Sequence, residues 1–222
     1  MEEYDVFVSV GGTATEKQES FVRAVEDRLR SEGIIPHTVG RNTFSSDSPL
    51  KTVMELMEKC CGTVVIALER TYFPSGEEKR GGPNQTSLSE VRCPTPWNQI
   101  EAAMAYTRGH PLMIIVEKGL QSEGLLARGY EWYVQWVEPT ASALTTPEFN
   151  GVLSSWKQKV AQRAASSPMV LPKDKDVKPL DQLTVAELVG RMKASQLWSV
   201  LGALAALVAG AFALGARLFR VP

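Results

Sequence analysis

The sequence predicts an α/β domain, built on a mostly parallel sheet of about five strands with helices on both faces, followed by a C-terminal transmembrane helix. Three observations carry this prediction. Short aliphatic runs alternate with segments of helical apolar periodicity through residues 1–163, Gly and Ser/Thr-Pro signals punctuate them, and charge vanishes between Lys193 and Arg217. Strands that alternate with helices need crossover connections, which run consecutive strands parallel and cover both sheet faces.

The elements follow in order. Tyr4–Val10 reads as the first strand, and residues 16–30 as a helix whose Phe21, Val25 and Leu29 fall on one face before Gly33 closes it. Residues 34–39 give a second strand. Ser48-Pro49 supplies an N-cap and a first-turn proline, and Val53, Leu56, Met57 and Cys60 continue an apolar face that Gly62 stops. Residues 63–68 read as a buried strand. Residues 71–93, with Gly76 and Gly81-Gly82-Pro83, read as a long loop that either closes over a ligand or hangs free. Thr95-Pro96 repeats the cap signal, residues 97–108 form a helix ended by Gly109, and residues 112–116 form a fourth strand. Residues 132–137 give a fifth strand and residues 147–163 a closing helix.

Beyond residue 163 the character changes. Residues 164–182, with Ser166-Ser167-Pro168 and Lys173-Asp174-Lys175-Asp176, read as a linker, and residues 183–196 as a short amphipathic juxtamembrane helix. Residues 197–219 read as a transmembrane helix, because about 20 apolar residues at 1.5 Å each cross a ~30 Å bilayer core. Trp198, with Arg191 and Lys193 before the span and Arg217 and Arg220 after it, supplies interfacial anchors. Lys173, Lys175 and Lys178 tip the basic balance to the N-terminal side, which predicts a single-pass, tail-anchored protein with its folded domain in the cytoplasm. The acidic start, Met1-Glu2-Glu3-Tyr4-Asp5, has no signal-peptide character. Gly202, Ala206 and Gly210 recur every four residues, which fits either self-association within the membrane or a simple abundance of small residues.

Composition excludes other classes. Lys+Arg 24 against Asp+Glu 25 leaves a net charge of -1, which offers no field for holding a polyanion, so nucleic acid is not an expected partner. Cys60, Cys61 and Cys93 form no CxxC pair, so neither a metal site nor a disulfide framework is expected, and a reducing compartment fits.

In an open parallel sheet ligands bind beyond the carboxyl ends of the strands. The first strand delivers Ser9, Gly11, Gly12 and Thr13 to that rim. The glycines serve either a close approach of backbone to ligand or an ordinary strand-to-helix turn. Neither GxGxxG nor GxxxxGK[ST] occurs, so a standard phosphate loop is unsupported. Arg41 and Arg70, on the same rim, either hold phosphates through bidentate hydrogen bonds or are merely solvated. Glu101 lies near the start of its helix with Trp97 one turn before it, where a carboxylate is favoured by the helix dipole and an aromatic ring can stack on a base or sugar. Asp47 reads either as a second polar group at the pocket or, better, as a residue of the helix start beside Ser48-Pro49, and neither His37 nor His110 stands out as catalytic.

The Tyr4-Asp5-Val6-Phe7-Val8-Ser9 opening, its glycine turn, and Thr95-Pro96-Trp97-Asn98-Gln99-Ile100-Glu101 ahead of Ala105 resemble the TIR-domain and nucleoside 2-deoxyribosyltransferase-like group over roughly residues 4–137. The resemblance implies a flavodoxin-like domain that sets one glutamate against the ribose of a nucleotide. Glu101 would be that catalytic residue, Trp97 the aromatic before it, and Ser9, Gly11 and Gly12 the pocket lining. The segment 71–93 departs from both families by its length. Cleavage of an N-glycosidic bond passes through an oxocarbenium-like state that one carboxylate can stabilise or capture, and the base leaves readily when it is already cationic, as nicotinamide is in NAD. No separate cofactor is implied; NAD or a related nucleotide would be the substrate. Two functions follow: a membrane-anchored hydrolase or transferase of nucleotides, or a tethered sensing or interaction module without turnover.

Truncation before Leu197 is expected to release the protein from membranes. Sedimentation of full-length and truncated chains with lipid vesicles measures this, and a truncated chain that still sediments would contradict the span.

Overall fold

Strand β1 (Tyr4–Val10) lies between β2 (Ile34–His37) and β3 (Gly62–Ala67), and β6 (Leu112–Glu117) and β7 (Val134–Val137) extend the sheet beyond β3 in the order β2-β1-β3-β6-β7. This computed structural model describes residues 3–121, 123–129 and 131–166. The expected juxtamembrane helix and transmembrane span, and all but the first residues of the linker, lie outside the described residues. Among the described residues no helix is long and apolar enough to cross a membrane.

All five strands are parallel, with Val8 opposite Val64, Val64 opposite Met113, and Ile114 opposite Val134. Strand β3 is central, and each of its six residues is buried, as a strand covered on both faces requires. Successive side chains point to opposite faces and so divide the core. Val6, Val8, Val64 and Ile66 meet α1 (Glu16–Ser31) and α4 (Pro147–Ser166) through Phe21, Val25, Leu29, Phe149, Leu153 and Trp156. On the other face Phe7 packs on Val53 and Met57 of α2 (Pro49–Lys59), while Val65 and Ile114 pack on Ala102 of α3 (Pro96–Thr107). The small Ala102 and Ala105 bring α3 close to the sheet, a closeness the site depends on.

Thr15 caps α1 by accepting from the Gln18 amide at 3.2 Å, and Thr95 caps α3 by accepting from the Trp97 amide at 3.4 Å. Ser48 departs from expectation: its backbone has cap geometry, but its side chain makes no cap hydrogen bond. Pro49, at the first helical position, has no N–H and so leaves the helix start with one fewer unpaired donor. Cys60 leaves the helix in an extended conformation, and β2 ends at His37, with Val39 making only an isolated bridge to Thr43.

The principal correction concerns residues 71–93. They are not a structureless loop but an antiparallel hairpin, β4 (Thr71–Glu78) and β5 (Thr86–Cys93), separate from the main sheet. Its turn carries positive φ at Lys79 (51°) and Gly81 (77°). The sequence signal is the Thr71-Tyr72-Phe73 run and the Leu88 and Val91 apolar residues about a Gly-Gly-Pro turn, obscured by intervening Ser, Glu and Pro. At its base the Arg70 amide donates to the Cys93 carbonyl at 2.9 Å, and Arg92 donates to the Lys118 carbonyl at 2.9 Å while pairing with Glu69 at 3.5 Å. These bonds fix the hairpin to the carboxyl ends of β3 and β6.

Gly62 does more than stop a helix. A Cβ there would stand 2.7 Å from Val160 and 3.3 Å from Trp156, so α4 sits on the sheet at a distance that only glycine permits. Gly62→Val is expected to destabilise the fold by about 1–3 kcal/mol through overpacking. Urea unfolding checks this, and Val160→Ala in the same chain should restore part of the loss.

Candidate functional site

The carboxyl ends of β1 and β3 and the first turns of α2 and α3 enclose a cleft of about 260 Å³, lined by Gly11, Gly12, Arg70, Thr95, Trp97 and Glu101, with Val10, Val39, Pro49 and Val53 as its apolar part. Five of the residues singled out by sequence therefore meet in one place. Larger clefts of about 410, 520 and 550 Å³ lie elsewhere, none of them lined by Glu101.

Glu101 is only 9% exposed. Burial pushes its carboxyl up to about 7, since a low-dielectric surround disfavours the charged form, while hydrogen bonding from Ser9 pulls the other way. Ser9 is fully buried behind the cleft. Its hydroxyl accepts at 3.0 Å from the Asn98 amide, which also reaches the Ile66 carbonyl at 3.4 Å. Asn98 thus ties the first turn of α3 to the ends of β1 and β3 and sets the position of Glu101 one turn later. Sequence reasoning missed this role; the available signal was a strongly polar residue on the sheet-facing side of a helix otherwise lined there by Ala102 and Ala105.

The glycines have distinct reasons to be there. A Cβ on Gly11 would stand 2.9 Å from the Thr95 methyl carbon, so the first loop and the α3 cap approach as closely as they do because the side chain is absent. Gly12 offers its carbonyl to Arg70 Nη1 at 3.3 Å. Arg70 makes no ion pair among the described residues, which leaves most of its guanidinium donors for another acceptor. Trp97 is 43% exposed at the mouth of the cleft, an uncommon placement for so large an apolar ring.

Arg41 is placed otherwise. Its guanidinium grips Glu19 with two hydrogen bonds of 2.9 Å and reaches Glu26 at 3.3 Å, and it does not line the cleft. The expected phosphate role is therefore replaced by an internal ion-pair network, because two carboxylates of α1 already occupy its donors. Glu19 is held down at about 2, chiefly by Arg41 and then by Thr13, and Arg41 is raised in turn. Asp47 pairs with Lys51 at 3.1 Å on the surface, and His37 meets Asp5 at 2.6 Å. His110 is buried against Thr63 at 3.0 Å, and burial lowers its pKa to about 4, which keeps it neutral. Among the described residues no group of three His, Cys, Asp or Glu side chains could hold a metal ion.

No family model matches the chain, and no curated protein matches it. Among solved structures it is similar to the TIR domains in the structure of the activated Roq1 resistosome directly recognizing the pathogen effector XopQ, with 14% identity, coverage of 79% of this chain and 92% of that chain, and a TM-score of 0.33. The α/β fold stands on its own strand order.

The raised carboxyl of Glu101 has a consequence for stability. The folded state holds its proton more tightly than the unfolded chain, so the cost of burial is absent below about pH 4.5 and complete above about pH 7. Glu101→Gln is expected to leave stability unchanged at pH 4 and to raise it by up to ~3 kcal/mol at pH 8. Urea unfolding at the two pH values measures the difference.

Proposed function

We propose that this chain hydrolyses or transfers the N-glycosidic bond of a nucleotide, NAD or a close relative, in a TIR-like domain held at a membrane by residues 197–219. The observation that carries the reading is the buried carboxylate of Glu101, opening on a cleft with glycine backbone, the Arg70 guanidinium, which has no ion-pair partner among the described residues, and an exposed indole around it. A cleft of about 260 Å³ is somewhat smaller than sites that enclose whole drug-sized ligands, so it suits the ribose and base, with the rest of a dinucleotide crossing the rim.

The chemistry asks for little more. With ribose C1′ beside Glu101, the ionised carboxylate stabilises the positive charge that develops as the C–N bond lengthens, or captures the sugar as an ester. Nicotinamide departs as a neutral base and needs no proton. Trp97 can stack on the base and Arg70 can pair with a phosphate, while Gly11 and Gly12 admit the sugar close to the backbone. The membrane anchor would confine turnover to one surface, in keeping with a signalling role, and pairing of spans through Gly202, Ala206 and Gly210 would bring copies together.

A second reading, a module that senses a nucleotide without cleaving it, is favoured by one observation: Glu101 is the sole acidic residue lining the cleft among the described residues, so a substrate with a poor leaving group would find no acid to protonate it.

Incubating the full chain in vesicles with NAD and with nucleosides, followed by chromatography for free base, separates the two readings. Base release is expected from the wild type, a loss of roughly 10²–10⁴-fold in Glu101→Gln, and a kcat/KM that rises with pH and levels off near the carboxyl's value of about 7. Undiminished turnover in the variant would remove the mechanism.

A further inference from the structure

Gln18, in the first turn of α1, is 6% exposed and uses both ends of its side-chain amide. Its Oε1 accepts from the Ala14 amide at 2.8 Å, and its Nε2 donates to the Glu69 carbonyl at 2.9 Å. Ala14 closes the loop that carries Gly11 and Gly12, and Glu69 immediately precedes Arg70 beyond β3. Two cleft walls from distant parts of the chain are thus bridged by one side chain. Arg70 completes the circuit by donating to the Gly12 carbonyl at 3.3 Å.

Capping of α1 does not account for this arrangement. In a capping box the third helical residue returns to the backbone of the cap itself. Gln18 reaches one residue further, to Ala14, and commits its other end to Glu69, which takes no part in α1. A planar group with a donor and an acceptor is required. Glutamate keeps only the acceptor, methionine keeps neither, and asparagine is too short by a methylene. The neighbouring Glu19 steadies the same loop by accepting from Thr13 at 2.9 Å, and is itself gripped by Arg41. Strand β1 therefore delivers a glycine loop that α1 holds from behind at two successive residues.

We infer that Gln18 is a positioning residue of this cleft: it fixes the gap between the glycine loop and the Arg70 loop, and with it the fit of sugar and phosphate, while taking no part in bond breaking. The inference rests on the reading of the cleft as a nucleotide site. Ligand binding should depend on Gln18 more than chemistry does, since the position of Glu101 is set separately, through Asn98 and Ser9.

The test uses the full chain in vesicles carrying Gln18→Met or Gln18→Glu, read by hydrogen–deuterium exchange and by the kinetics of base release from NAD. In the methionine variant, exchange in residues 11–14 and in residues 69–71 should rise about tenfold or more, and KM should rise about tenfold with kcat within about threefold of wild type. The glutamate variant should keep protection at Ala14, lose it at residues 69–71, and show an intermediate KM. Wild-type exchange at residues 69–71 in the methionine variant would overturn the inference, as would a fall in kcat at unchanged KM. If the wild type releases no base, the reading of the cleft fails, and exchange alone still decides whether Gln18 braces its walls.

Discussion

The close seating of helix α3 on the carboxyl ends of β1 and β3 is the constraint on which the rest of the site depends. Ala102 and Ala105 make the approach possible, Gly11 clears the path for the Thr95 cap, and the buried Asn98 amide fixes the register through Ser9 and Ile66. Once the helix lies there, Glu101 has little access to water, and its affinity for a proton rises as a direct result. Electrostatics at this position follows from packing, and packing follows from the absence of side-chain bulk at three places in the sequence, Gly11, Ala102 and Ala105.

Around that carboxylate the molecule keeps its charges in two separate populations. Glu19, Glu26 and Arg41 neutralise one another behind the first loop, and Arg92 is drawn between Glu69 and Glu117 at the foot of the hairpin. These groups hold loops in place. Arg70 stands apart from both networks: it lines the cleft and makes no ion pair among the described residues. The distinction between loop-bracing and cleft-lining arginines is one of partners rather than of position along the chain, since Arg41 and Arg70 both leave the carboxyl ends of strands.

That distinction also marks how much could be read in advance. The five strands and four helices were legible because each carries a strong period or a continuous apolar run bounded by Gly or Pro, and the rule for open sheets then gathered Gly11, Gly12, Arg70, Trp97 and Glu101 on one rim. Arg41 was misplaced because nothing local shows that two glutamates of α1, more than a dozen residues earlier, will claim its donors. Asn98 and Gln18 were overlooked for a related reason: a buried amide is defined by which backbone groups converge on it, and those come from β1, β3 and their loops. The hairpin escaped notice because Ser, Gly and Glu dilute its alternation, and its faces are largely exposed, so no apolar pattern was needed to form it.

The hairpin's pairing has one irregularity. The ladder passes from Phe73 opposite Val91 to Ser75 opposite Ser89 and skips Pro74 and Glu90, the latter at a φ of 54°. A ribbon standing clear of its parent sheet presents two open flanks to any passing strand, and such flanks are where fibrils start. Proline has no amide hydrogen to offer a neighbouring strand and the left-handed residue interrupts the ladder beside it, two of the devices that keep an exposed ribbon from becoming a template for its neighbours.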